Sequence, residues 1–245
     1  MSGQTKIGIL TGLTSEAKAM GKPSDNFSVL TSAANASRGK AKIDELINNG
    51  ISVLGSIGVA GGLKSGLKPG SVIIATEVIH WLDSFPSSEA ENRSIDPKYR
   101  VYEANKEWRS LISKKLGNDL SLAPILGVEK PVSEPLQKAA FNNLVGALAV
   151  DMESHLVAQA ANDHGLPWFA VRIICDPAER RLPSAALAAI GSEREVSVAR
   201  VFGGLIRRPA DFVGLMGLAG ETTIAMRSLK YHCRQLRELF DSSEI

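Results

Sequence analysis

Two apolar stretches near the middle of the chain each run out into acid: Ala149-Val150-Asp151-Met152-Glu153-Ser154 and Phe169-Ala170-Val171-Arg172-Ile173-Ile174-Cys175-Asp176. Read as strands, they bring Asp151, Glu153 and Asp176 to strand ends, where a sheet opens into a crevice. Carboxyls placed there reach a ligand while the apolar residues behind them hold position. Glu16 has the same placement, just beyond the apolar run Ile7-Gly8-Ile9-Leu10-Thr11. Taken singly, each acid has an ordinary explanation. Glu16, Asp151 and Glu153 suit helix entrances, and Asp176 before Pro177 starts a turn.

The rest of the pattern supplies the elements that position them. After the first strand, Gly12 and Thr14-Ser15 turn the chain into a short helix from Glu16 to Met20, and Phe27-Ser28-Val29-Leu30-Thr31 is a second strand. Ser32 to Gly39 is a loop of small residues carrying Arg38, where backbone amides approach an anion. A helix with Ile43, Leu46 and Ile47 facing inward ends at Asn49-Gly50. The next strand, from Ser52 to Gly58, leads into Val59-Ala60-Gly61-Gly62-Leu63, where a ligand touches backbone at Ala60 and Gly61. This cluster is neither a GxGxxG fingerprint nor a P-loop. A strand from Ser71 to Thr76 follows, then a polar, irregular segment from Glu77 to Tyr102 holding His80, Trp81, Asp83 and Phe85, suited to a rim, a lid or a subunit contact. Asn105 to Leu116 patterns as a helix, Leu122 to Val128 as a strand and Lys138 to Val145 as a short helix. Ser154 opens a helix closed by His164-Gly165.

With 245 residues and 44% apolar content, the strand and helix alternation implies one α/β domain over residues 1–245. Twenty-eight basic against 26 acidic residues leave a net charge of +2, which excludes a general nucleic-acid or anionic-membrane field. Two cysteines, Cys175 and Cys233, and no charged-then-apolar leader imply a reducing cytoplasm without disulfides. His80, His155, His164 and His232 lack metal-ligand spacing, so no metal is expected.

Together, Ile7-Gly8-Ile9 with Glu16, Val59-Ala60-Gly61-Gly62-Leu63, Val150-Asp151-Met152-Glu153-Ser154 and Val171-Arg172-Ile173-Ile174-Cys175-Asp176 resemble the purine nucleoside phosphorylase and methylthioadenosine/adenosylhomocysteine nucleosidase superfamily. Further on, Arg181-Leu182-Pro183-Ser184-Ala185-Ala186-Leu187 and Leu205-Ile206-Arg207-Arg208-Pro209 resemble one branch of it, the hopanoid-associated phosphorylases, which remove adenine from adenosylhopane. The resemblance implies a three-layer α/β/α sandwich around a central mixed sheet, and cleavage of the N-glycosidic bond of an adenosyl-lipid, adenosylhopane, with release of adenine; the alternatives are a general methylthioadenosine/adenosylhomocysteine nucleosidase and a non-catalytic nucleoside-binding module. Such cleavage develops positive charge on the sugar and negative charge on the departing purine. In the family pattern Asp176 protonates the five-membered ring of adenine. Glu153 holds the ribose hydroxyls as an ionised carboxylate, Met152 packs on the sugar, and Asp151 supports the others. Glu16 matches the glutamate that activates water in hydrolytic relatives. Phosphorolytic relatives hold phosphate with arginines that Gly12-Leu13-Thr14-Ser15 and Gly55-Ser56-Ile57-Gly58 lack. Phosphate as co-substrate would fall to Arg38, Thr14 and Ser15, and either acceptor remains open. No cofactor is implied, the partner is a nucleoside or adenosyl-lipid, and relatives form homo-oligomers.

From about 182 to 245 the pattern is a helical extension broken near Arg207-Arg208-Pro209 and Gly220. Met226, Leu229, Cys233, Leu236 and Phe240 share one face of its last helix, and Arg227, Lys230, Arg234 and Arg237 the adjoining one. Such a helix either packs on its own domain or, with Phe212 to Leu218, rests peripherally on the inner membrane surface near a lipid substrate. Charges at Arg207, Arg208, Asp211 and Glu221 exclude a transmembrane span.

Overall fold

The strand-period runs and the helical runs sort into layers. The computed structural model describes residues 5–83, 98–183 and 211–242. In chain order these form β1 (Ile7–Thr11), α1 (Thr14–Met20), β2 (Phe27–Thr31), α2 (Ala36–Asn48), β3 (Val53–Gly62), β4 (Val72–Trp81) and β5 (Tyr99–Glu103). Then come α3 (Lys106–Leu116), β6 (Ser121–Gly127), α4 (Pro135–Val145), β7 (Ala149–Asp151), α5 (Ser154–His164), β8 (Trp168–Asp176) and α6 (Asp211–Phe240).

The sheet is mixed. Its order runs β2-β1-β3-β7-β6-β4-β5, and β8 pairs with both β3 and β4. Strands β3, β7, β6, β4 and β8 therefore pair in turn and return to β3, closing part of the sheet into a ring. One face packs Ile43 and Leu46 of α2 and Leu156, Val157 and Ala161 of α5 against the strands. The other packs Met20 of α1, Trp108 and Ile112 of α3, and Leu229, Cys233, Leu236 and Phe240 of α6. This is the expected α/β/α sandwich.

Three local readings are corrected. The segment from Glu77 to Tyr102 is not irregular throughout, because β4 continues to Trp81 and pairs antiparallel with β5, Trp81 opposite Tyr99. His80 and Trp81 are buried as a result. Arg38 lies in the first turn of α2, whose entrance is set by the Asn35 side chain accepting from the Arg38 amide at 2.8 Å. The last helix passes through Gly220 without a break. Its apolar stripe is committed to the core, where Phe240 meets Phe27, Trp108 and Phe169. Phe85, Ser184 to Leu187 and Leu205 to Pro209 lie outside the described residues. Within them, no helix is long and apolar enough to cross a membrane.

Candidate active site

Glu16, Glu153 and Asp176 are all buried, and each faces a glycine whose missing side chain makes room for its carboxyl. A Cβ on Gly58 would stand 2.7 Å from Glu16 Oε1, one on Gly12 would stand 2.9 Å from Glu153 Oε1, and one on Gly61 would stand 3.2 Å from Asp176 Oδ2. Glycine at these strand ends thus reflects side-chain crowding as well as backbone freedom. Sequence reasoning singled out Gly61 but passed over Gly12 and Gly58.

Glu16 is anchored at the mouth of α1. It accepts from the Leu13 amide at 2.8 Å through Oε2 and from the Val59 amide at 2.7 Å through Oε1, tying the end of β1 to β3. Burial raises its pKa above the ordinary carboxyl value, while the two amides and the charge of Arg172 pull it back. A carboxylate brought closer to neutrality is a better base. Thr14 and Ser15 are exposed on the first turn of α1, and Arg38 is exposed on α2. Of the amides at this helix entrance, that of Leu13 is engaged by Glu16.

Glu153 precedes α5 and accepts from Ser32 Oγ at 3.1 Å. Ala33 and Ala34, both with positive φ, turn the chain sharply after β2, so that the Ala34 amide bonds the Gly12 carbonyl at 3.0 Å. Burial, then the neighbouring Asp151 and Glu16, push the Glu153 carboxyl up to about 8. In the free site this favours the protonated form over the ionised Glu153 that the resemblance implies. Hydrogen bonds donated by a ligand favour the charged form and reverse this.

Both carboxylate oxygens of Asp151 are taken up by protein groups. Its Oδ2 receives both Arg172 Nε and Ser154 Oγ, and its Oδ1 accepts from the Ser154 amide at 3.2 Å. Arg172, in β8, also donates to Ser56 Oγ and to the Val171 carbonyl. A guanidinium this deep is tolerated because it is paired. It holds Asp151 directly, and its charge acts on Glu16 and Glu153. Met152 is half-buried and packs beside Leu63, Trp81, Leu126 and Phe141.

Asp176 closes β8. Between Ala60 and Gly61 the register slips by one residue, so that Ala60 pairs with Ile174 and Gly61 with Asp176, and Cys175 is left over as a bulge. The Cys175 thiol meets Thr222 of α6 at 3.3 Å, and burial pushes it up to about 11, so it is no nucleophile at neutral pH. Asp176 Oδ2 receives Lys138 Nζ at 2.5 Å, and Lys138 donates further to the carbonyls of Pro177 and Arg180 at 2.9 and 3.0 Å. Burial raises the Asp176 carboxyl and Lys138 opposes it. Sequence reasoning missed Lys138. Its signal was a lysine three residues before Phe141, on the face of α4 that turns inward.

The layered fold with three buried carboxyls at the ends of its strands defines a class. The chain belongs to the phosphorylase superfamily, which it matches over residues 2–206. It is 27% identical over 145 residues to the 5′-methylthioadenosine/S-adenosylhomocysteine nucleosidase of an Exiguobacterium species, covering 57% of this chain and 59% of that one. It is 28% identical over 127 residues to the nucleosidase of the same name from Bacillus cytotoxicus, covering 49% and 54%. The matched stretch thus spans less than two thirds of the length of these relatives. In three dimensions it resembles the Helicobacter pylori 5′-methylthioadenosine/S-adenosylhomocysteine nucleosidase complexed with an inhibitor, with a TM-score of 0.60, 20% identity and coverage of 86% of this chain and 99% of that one. The futalosine hydrolase of the same organism superposes with a TM-score of 0.60 at 18% identity, covering 83% and 98%.

Proposed function

We propose that this protein hydrolyses the N-glycosidic bond of a 5′-substituted adenosine, releasing adenine. The observation that carries this reading is the seat of Glu16, a buried carboxylate held by the Leu13 and Val59 amides at the mouth of α1, beside a first loop that carries no arginine for phosphate. Water is therefore the acceptor. Glu16 takes a proton from water as its oxygen bonds to the anomeric carbon. The bond from that carbon to the purine breaks, and its electron pair leaves with the base. Asp176, whose carboxyl burial raises, gives a proton to the five-membered ring from its protonated form. Lys138 fixes Oδ2, leaving Oδ1 for the base. Glu153, steered by Ser32 and given room by Gly12, receives the ribose hydroxyls, with Ala60 and Gly61 as the backbone beneath the nucleoside and Met152 at the sugar. Nucleosidase relatives at 27–28% identity support the reaction class.

The test is adenine release from methylthioadenosine and from S-adenosylhomocysteine by the purified protein, with and without phosphate. Release without phosphate, yielding a free reducing sugar, is the expected result. Release that requires phosphate and yields a sugar phosphate would overturn the role given to Glu16. Asp176→Asn lowers kcat by roughly 10²–10⁴-fold with little change in KM.

Adenosylhopane is the second reading, and one surface favours it. Leu229, Cys233, Leu236 and Phe240 are spent on the core, yet Ile224 and Tyr231 remain exposed on α6 near Arg227, Lys230 and Arg234. That surface suits peripheral contact with anionic lipid. Flotation with anionic vesicles, and cleavage of a long-chain adenosyl compound in preference to methylthioadenosine, would establish it. Absence of both leaves the thionucleoside reading.

A further inference from the structure

His80 is the penultimate residue of β4, Glu129 lies two residues beyond β6, and His155 is in the first turn of α5. Parallel pairing of β4 with β6 puts His80 opposite Gly127. Helix α5 comes so close over Gly127 that a Cβ there would stand 2.5 Å from the Cβ of His155. Only glycine admits the second imidazole beside the first. The two rings stack with centroids 4.3 Å apart and planes inclined by 27°.

Both Nε2 atoms turn toward one carboxylate oxygen. Glu129 Oε1 lies 3.2 Å from His155 Nε2 and 3.7 Å from His80 Nε2. One nitrogen of each ring and a carboxylate oxygen of Glu129 all fall within 4.8 Å of one another. As a plain hydrogen-bonded trio the arrangement is poor. A single oxygen serves two nitrogens, and the 3.7 Å contact to His80 is too long for a hydrogen bond. As a coordination set the spacing fits. Ligands bonded at about 2.0–2.1 Å around a tetrahedral ion stand roughly 3.3 Å apart, between the two measured edges. The rings are buried while the Glu129 side chain is 53% exposed, which gives an ion a path from solvent and an open coordination position.

We propose that His80, Glu129 and His155 bind a divalent transition-metal ion of the zinc class, which clips β4 and the end of β6 to α5. Two imidazoles among three ligands disfavour calcium and magnesium, which take oxygen. The site uses none of Glu16, Glu153 and Asp176, so it stands or falls apart from the reaction proposed above.

The test is titration of metal-free protein with Zn²⁺ by calorimetry and with Co²⁺ by visible absorption. One saturable equivalent and a cobalt ligand-field band are expected. Glu129→Gln, which changes a half-exposed side chain and leaves the fold intact by circular dichroism, lowers zinc affinity by roughly 10- to 100-fold and removes the rise in Tm that zinc gives the parent protein. His80→Ala does the same, and His164→Ala, at an exposed histidine, changes neither. No saturable uptake by the folded protein, or uptake indifferent to Glu129→Gln, would overturn the proposal.

Discussion

Lys138 and Asp176 form a buried ion pair, with Nζ 2.5 Å from Oδ2 and the Lys138 side chain wholly enclosed. Two charges out of water are tolerated because each satisfies the other, and the two further carbonyls use up the remaining ammonium protons. Lys138→Met should therefore cost about 3–5 kcal/mol by denaturant unfolding. The double variant Lys138→Met/Asp176→Asn should lose clearly less than the sum of the single losses. The pair also bears on activity: without the lysine's opposing pull, the Asp176 carboxyl rises further. Where the variant stays folded, the alkaline limb of its pH-rate profile moves to higher pH.

Stability should decline with pH through the range in which Glu153 ionises. Its carboxyl titrates at about 8 when folded, against 4.5 as the ordinary value. A carboxyl raised on folding contributes stability that is fully present below about 4.5 and is lost as pH climbs through about 8. The loss is on the order of a few kcal/mol, and Glu16 and Asp176, also raised, act in the same sense. Melting curves between about pH 5 and 9 should show a falling Tm in the parent protein and a flatter profile in Glu153→Gln. The variant should be the more stable of the two at the alkaline end.

The glycines opposite the acids should separate two kinds of kinetic defect. Gly58→Ala forces a methyl to 2.7 Å from Glu16 Oε1 and displaces the base. We expect kcat to fall by roughly 10²-fold, as for other displacements of about 1 Å, with the fold retained. Gly12→Ala presses on Glu153, 2.9 Å from Oε1, and should act mainly on KM through the ribose hydroxyls. Steady-state kinetics with methylthioadenosine check both, and identical defects would count against the separate roles.

Helix α6 should behave as core and not as an appendage. Leu236 is fully buried, so Leu236→Ala should destabilise by about 2–5 kcal/mol. Arg234→Ala, on the exposed face two residues away, should leave the denaturation midpoint unchanged.

Much of this architecture was legible from residue pattern. Apolar runs marked β1, β2, β3 and β8, and the acids at or just beyond the ends of β1, β7 and β8 are the ones the fold buries. What stayed hidden depends on contacts between distant segments. The ring of strands that encloses Arg172, Asp151 and Ser56 requires β8 to pair with two partners, which no local period encodes. His80 and His155 looked scattered because 75 residues of chain separate two rings that the β4–β6 pairing brings into contact. Lys138 was hidden because lysine is ordinarily a surface residue, and its partner lies 38 positions on. Arg38 was misplaced because Ser32 to Gly39 is rich in small residues, and the Asn35 cap that starts α2 was overlooked.

The aromatic packing of Phe240 against Phe27, Trp108 and Phe169 also has a consequence for biosynthesis. More than two hundred residues separate Phe27 from Phe240. At ribosomal speeds of about 5–20 residues per second, Phe27 is made roughly 10–40 s before Phe240. Met20 and Phe27, and then Trp108 and Phe169 as each is made, lack their partner in α6, and the nascent chain presents an apolar face for chaperones to hold until that helix arrives.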